Sequence, residues 1–234
     1  MKAVPEMLVE RIGDVAPAFA RAGEDELDAG LAIARKQAGW TFVALSAPVV
    51  AAPAAVAAWR SAPVVAWSSR TLTIVGVGAA CELRGSGAQR WAEVIAAARR
   101  IETGSIVDRS GASDLVRPRL LGGLAFAPGA ADHAPWSGFG DAWFMLPRWT
   151  YVHDGSRAAL VLAVDARDAQ HATRWHEELA AFRAALASSF APRPRPWQPG
   201  APHPSSRGRR ERSRSSALVP RASCADRVHS GGPK

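Results

Sequence analysis

Cysteine is almost absent from this chain of 234 residues: Cys81 and Cys224 are the two present, with no CxxC pair and no ligand cluster around either. Two widely separated thiols fit a reducing cytosol, where disulfides are rare, and they leave out a thiolate metal centre. A secretory signal is not expected either, because MKAVPEMLVER carries charges on both sides of a short apolar stretch. Long apolar runs are also lacking. Gln37–Trp59 contains no charged residue, yet Pro48 and Pro53 interrupt it, and Ala, Ser and Thr dilute it. A spanning helix needs about 20 strongly apolar residues, so this stretch is expected to be a strand and a short helix of a soluble, cytoplasmic protein. No serine elbow, P-loop or paired-carboxylate constellation stands out.

The body also lacks a charge of one sign. Residues 1–190 carry 19 basic and 19 acidic groups, whereas residues 191–234 carry 10 and 2 and so hold the whole net charge of +8. Eight of the 17 prolines lie in that same tail. The basic balance therefore gives the body no basic face. The tail, APRPRPWQPGAPHPSSRGRRERSRSS, has no period and few large apolar groups, so burial cannot offset its ordering entropy and disorder is expected. Its Arg-rich part would suit a nucleic-acid backbone, which is the alternative function to weigh. Arg, Pro, Ala, Gly and Ser are also what out-of-frame reading of GC-rich DNA produces, and a frame shift near residue 190 is the preferred account.

The body alternates strands and helices. Glu24–Lys36 reads as a helix with acidic residues at its start and Arg35 and Lys36 at its end, complementing the backbone dipole. Trp40–Leu45, Pro63–Trp67 and Thr71–Val77 read as strands, and Ala54–Trp59 as a short helix. Trp91, Val94, Ile95, Ala98 and Ile101 recur at helical spacing and predict an amphipathic helix over 88–101. Leu120–Phe126 and Ala142–Leu146 read as strands, with Pro147 marking an edge or strand end. Asp154-Gly155 predicts a hairpin pairing Trp149–His153 with Arg157–Val164. Asp168 is placed to cap a last helix with His171, Trp175, Leu179, Phe182 and Leu186 along one face. AWFML (142–146) and ALVLAV (159–164) are apolar without alternation, as in strands covered on both faces. The helices look too few to cover both, which hints at a partner half.

The candidate sites all have plain structural readings. Gly76-Val-Gly78 follows a strand, but no helix opens after it to bind a phosphate, so a turn or close backbone approach is expected. Gly85-Ser-Gly87 reads as a loop and cap. Gly122-Gly123 inside a strand implies a bend or tight contact with another backbone. Trp136, Phe139, Trp143, Phe144 and Trp149 are read as core aromatics. His133, His153, His171 and His176 share no metal-ligand spacing, and Glu177 and Glu178 point in different directions.

The stretch Arg117–Trp149, RPRLLGGLAFAPGAADHAPWSGFGDAWFMLPRW, carries a resemblance. A Pro-Arg approach leads to the Gly-Gly pair, with Phe126 and Pro128 after it, then Trp136, Phe139 and a strand closing on Leu146-Pro147-Arg148. This resembles the amino-terminal region of isochorismate synthases, within the chorismate-utilising enzymes. PVVAWSSRTLTIVGVGAA, further upstream, is similar to the family's strand pair, and the likeness covers roughly Trp40 to Phe190. It implies an α+β fold: a largely antiparallel sheet with helices on part of its surface, one layer of a larger sandwich.

The resemblance also implies conversion of chorismate to isochorismate with Mg²⁺, feeding menaquinone or a salicylate-type siderophore. In that family a Lys base activates water, a Glu acid protonates the leaving hydroxyl and further Glu residues hold the metal. Those groups belong to a carboxy-terminal half marked by KVVLAR, GASPE, AGT and KDxxEH, none of which occurs here. Lysine stands only at Lys2, Lys36 and Lys234. The expectation is therefore an amino-terminal lobe (1–190), inactive by itself, with a disordered tail (191–234). No catalytic, cofactor-binding or metal-ligand residue is assigned, and a separate catalytic half is the implied partner.

Overall fold

In the computed structural model the described residues are 23–50, 63–134 and 136–188. The strands are β1 (Thr41–Ser46), β2 (Val64–Ser68), β3 (Thr73–Gly85), β4 (Ser105–Asp108), β5 (Leu121–Leu124), β6 (Ala142–His153) and β7 (Ala158–Val164). The helices are α1 (23–34), α2 (Arg90–Glu102) and α3 (Ala172–Ser188). One sheet takes all seven strands in the order β2-β3-β6-β7-β1-β4, with β5 lying against β6 off that path. Every pairing is antiparallel except β1 with β4. The fold is α+β with a largely antiparallel sheet, as the sequence implied. The calls on Ala54–Trp59, Cys224 and the tail 191–234 lie outside the described residues.

The two apolar runs form the centre of the sheet, with one difference from the sequence reading. Ala142–Leu146 and Trp149–His153 are a single strand, β6, which continues through Pro147. Proline has no N–H to give a ladder, so an internal strand tolerates it only where no acceptor waits. That condition holds here. One edge of β6 pairs with β5 as far as Met145 and with β7 only from Trp149 onward. On the other edge Pro147 faces Ala79, beside the register shift between Ala79 and Cys81 in β3. The bulge and the change of partner leave room for a residue without a donor.

Both faces of β7 are buried over its whole length. On one face Leu27 and Leu31 of α1 and Trp175, Leu179, Phe182 and Leu186 of α3 pack against Val43, Leu45, Trp149, Tyr151, Leu160 and Leu162. On the other, Val94 and Ile101 of α2, with Ala112, Leu115 and Val116, cover Phe42, Ala44, Leu146, Val152, Val161 and Ala163. The chain's own elements thus cover both sides here, and the hint of a partner half drawn from these strands is corrected for this end of the sheet. Three further readings change. Trp91 is 51 % exposed rather than part of the buried stripe. His171 is exposed, outside the buried face of α3. Cys81 is buried and is not a free thiol. The short strand β4 had no sequence signal of its own: it pairs in parallel with β1 through Ser105–Asp108.

Polar ties hold the helices to this core. Glu26 of α1 accepts from the amide (3.0 Å) and hydroxyl (3.1 Å) of Ser46. The Trp149 indole donates to Glu178 of α3 at 2.8 Å. The one tyrosine of the chain, Tyr151, donates to the Pro48 carbonyl (2.8 Å) and accepts from the Val50 amide (3.0 Å). Burial pushes its hydroxyl up to about 12 from an ordinary value of 10.0. A folded-state value raised above the unfolded one contributes stability below pH 10, lost as pH rises toward 12. Because no other tyrosine contributes, tyrosinate absorbance reads this group alone. Ionisation should come near pH 12 in the folded protein and near 10 in urea; an inflection near 10 before unfolding would contradict the buried, doubly bonded hydroxyl.

Candidate functional site

The middle of the stretch that carries the resemblance, from β5 through the loop to Trp143, maps to the other end of the sheet, while Leu146, Arg148 and Trp149 belong to the closed core. β5 lies so close to β6 that a Cβ on Gly122 would collide with the Trp143 carbonyl and come within 2.6 Å of the Phe144 Cα. Glycine is required there by backbone approach, as the pair in a strand implied. Gly123 faces open space. Gly76 is a second close approach: its added Cβ would lie 2.6 Å from Pro147 Cγ and 2.9 Å from Leu121 Cδ1. The reading of Gly122 holds; at Gly76, which lies within β3, the turn or close backbone approach expected is corrected to a close approach by the side chains of Pro147 and Leu121.

The loop 125–141 between β5 and β6 is fastened by one carboxylate. Asp141 accepts from the Gly129 amide through Oδ1 (2.6 Å) and from the Gly87 amide through Oδ2 (2.7 Å). Gly87 and Gly129 both stand at positive φ, +59° and +76°, where a side chain would be strained. These two bonds hold the Asp141 carboxyl below the usual carboxylate range. Arg90 adds to the clamp, donating to the carbonyls of Gly87 (3.0 Å) and Ala125 (3.4 Å). Gly85-Ser-Gly87 is thus the step from β3 into a 3-10 turn (Gly87–Gln89), close to the loop expected, but Gln89 rather than this segment stands at the N-cap of α2.

The loop holds its aromatic side chains outward. Trp136 is 60 % and Phe139 49 % exposed, and Phe126 is fully exposed. Trp143 and Phe144 are half-buried, and Trp149 alone of the five aromatics read as core is fully inside. The core assignment is corrected for Trp136 and Phe139. They were misread because aromaticity signals burial without saying which partner supplies it. Trp136, Phe139 and Trp143 form a chain of ring contacts, 6.0 and 5.7 Å between centroids. Beside them opens a cavity of about 330 Å³ lined by Arg84, Ser86, Glu93, Asp132, Phe139 and Asp141. Across the sheet, Trp91 and Phe144 (6.3 Å) line a smaller groove with Ile95 and Leu120.

Arg148, which closes the stretch, has a structural task. It is buried, donates to Asp168 Oδ2 (2.6 Å) and to the Ala163 carbonyl (2.7 Å), and lies 5.1 Å from the Trp175 ring. Asp168 therefore anchors an arginine from a 3-10 turn (Asp168–Gln170), instead of capping α3 as expected. Its carbonyl accepts from the Trp175 indole at 2.7 Å. The histidines do not converge: His176 meets Asp28 at 2.8 Å, His153 accepts from the Gly155 amide at 3.2 Å, and His133 is exposed. Among the described residues no group of three or more His, Cys, Asp or Glu is placed to hold a metal ion. The described residues therefore do not fit a Mg²⁺ site, and no step through a metal is derived for them. Glu178, held between Trp149 and Arg174 (2.8 Å to each), is occupied structurally.

A lobe of this α+β build is what the resemblance implied, and comparison with known proteins supplies the class. The sequence pattern of the family described as "Chorismate binding enzyme" matches residues 46–215. The chain belongs to that chorismate-binding enzyme family. Its sequence is 30% identical over 124 residues to the salicylate biosynthesis isochorismate synthase of Pseudomonas aeruginosa, across 51% of this chain and 25% of that protein. Among solved structures it is similar to MenF, the menaquinone-specific isochorismate synthase from Escherichia coli, with 20% identity and a TM-score of 0.42. That match covers 71% of this chain and 36% of MenF. The chain thus spans about a quarter to a third of the length of these relatives. Among the described residues no helix is long and apolar enough to cross a membrane.

The task assigned to Arg148 can be checked. Asp168→Ala removes the carboxylate bonded to a buried guanidinium and should cost about 3 kcal/mol. Adding Arg148→Met should recover much of that loss in urea unfolding. A double variant no more stable than Asp168→Ala would contradict a mainly structural pair.

Proposed function

We propose that this chain is the amino-terminal lobe of an isochorismate synthase-like enzyme, and that residues 1–234 alone do not convert chorismate. The observation that carries this reading is the match to a named isochorismate synthase over 25% of that protein's length, within the chorismate-binding family. The structure's chemistry supports the second half of it. Chorismate carries two carboxylates, so a site for it needs cations, yet the 330 Å³ cavity sets Glu93, Asp132 and Asp141 against the single Arg84. Arg84 itself is already paired with Glu82 at 3.3 Å. Lys36, the one lysine among the described residues, is exposed in the turn after α1 and has no part in that cavity. Moving a proton to and from the substrate requires an acid and a base poised on it, and no such pair is assembled in the described residues.

The product, in the intact enzyme, would feed menaquinone or salicylate synthesis, and Mg²⁺ would act in the part that holds the catalytic groups. A lobe boundary near residue 190, with a shift of frame after it, belongs to the same reading, although the family match extends to residue 215. Binding of nucleic acid through the tail has only the tail's composition in its favour.

Two measurements bear on this. Purified chain incubated with chorismate and Mg²⁺ should give no isochorismate by chromatography, and clear turnover would defeat the reading. Translation of the gene downstream of codon 190 in all three frames should reveal a KVVLAR-like strand and Glu-rich motifs in another frame. Their absence in every frame would remove the frame shift from the account.

A further inference from the structure

Cys81 stands in β3 opposite Leu146, beside the register shift, and is 3 % exposed in the cluster with Ala80, Leu83, Val94 and Leu146. A thiol buried among apolar side chains is an ordinary core group. This one differs: its sulfur is disulfide-bonded, and no described cysteine is free. The sequence holds one further cysteine, Cys224, which follows the Arg-rich run of the tail.

Geometry favours the chain's own Cys224 over a second copy's Cys81 as the partner. A disulfide brings its two Cα atoms within about 7 Å of each other. Two copies of Cys81 cannot approach that closely while each lies in mid-strand, with β6 alongside and α2 packed over it. The tail is under no such restriction. α3 ends at Ser188, and the chain from there to Cys224 spans about 120 Å when extended. That is well beyond the roughly 40 Å length of β6, the strand that crosses the lobe.

We propose that Cys81 and Cys224 of one chain form a disulfide that clasps the tail to β3, and that a dithiol reductant releases it. Forming the bond takes one proton and one electron from each thiol, and a disulfide of the glutathione class accepts them and leaves as two thiols. Release runs the other way: a thiolate attacks one sulfur, a mixed disulfide forms, and the reductant's second thiol resolves it. The clasp changes how the basic run is held. Arg207, Arg209, Arg210, Arg212 and Arg214 lie between Ser188 and Cys224. In the oxidised chain they belong to a loop anchored at both ends, and in the reduced chain to an arm anchored at one. The inference concerns these 234 residues and does not depend on whether they convert chorismate.

The test uses the full chain equilibrated with oxidised glutathione, quenched with acid, alkylated with N-ethylmaleimide in urea and digested with trypsin. Cys81 falls in the peptide 71–84 and Cys224 in the peptide 222–227. The expected product is 71–84 joined to 222–227, from protein that runs as a monomer on a non-reducing denaturing gel. Dithiothreitol should abolish it, several-fold more slowly in native buffer than in urea, because Cys81 is buried. Reduction should also lower the urea midpoint of the native chain. Cys224→Ser, which leaves the β3 core intact, should show that lower midpoint in oxidising and reducing buffer alike. Capping of either cysteine by N-ethylmaleimide or glutathione in the oxidised sample, a 71–84 peptide joined to another 71–84, a disulfide-linked dimer, or a midpoint indifferent to reduction would each overturn the clasp.

Discussion

The structure depends on one constraint: β6 must serve two different neighbours along a single edge. β3 pairs with it from Ala142 to His153, while the other edge passes from β5 to β7 around Pro147. A proline in mid-strand is normally excluded because it breaks a ladder. Here it occupies the interval between two partners, opposite the β3 bulge. The strand therefore belongs to two environments. Its second half lies in a closed core between α1 and α3 on one face and α2 on the other. Its first half, though Ala142, Met145 and Leu146 are buried and Phe144 meets Trp91 of α2, lies beside β5 and a fixed loop whose aromatic side chains face water.

This division also separates two uses of polar groups. The closed end is tied by the buried Arg148–Asp168 pair, the Tyr151 hydroxyl on the 48–50 segment and the Trp149–Glu178 bond. Each uses a chemically suggestive residue for architecture. Removing any one exposes a buried polar group and should be felt in unfolding. At the open end the polar groups instead fasten a loop whose aromatic side chains make few contacts with the lobe's own core.

Much of this was legible in the sequence because the signals were local. The Asp154-Gly155 turn, the continuous apolar run of β7 and the helical spacing of Trp175, Leu179, Phe182 and Leu186 each specify their own element. The Gly122 reading held because glycine in a strand is costly unless another backbone needs the space, while at Gly76 the space is taken by side chains from other strands. The failures share a different cause. β4 is four residues whose pairing depends on β1, more than fifty positions away in sequence. Pro147 read as an end because the change of partner that accommodates it is tertiary. Asp168 read as a cap because its arginine partner lies twenty residues back. Trp91, Trp136 and Phe139 read as core because hydrophobicity alone does not reveal which apolar side chains the fold encloses.

Native-state hydrogen exchange along β6 and its neighbours tests the two-environment account most directly. The account predicts that amides of β7 and of Trp149–Val152 exchange only with global unfolding, while those of β5 and Trp143–Phe144 exchange through local opening at much lower free energy. Equal protection along the whole of β6 and β5 would contradict it, because the open end would then be as self-sufficient as the closed one.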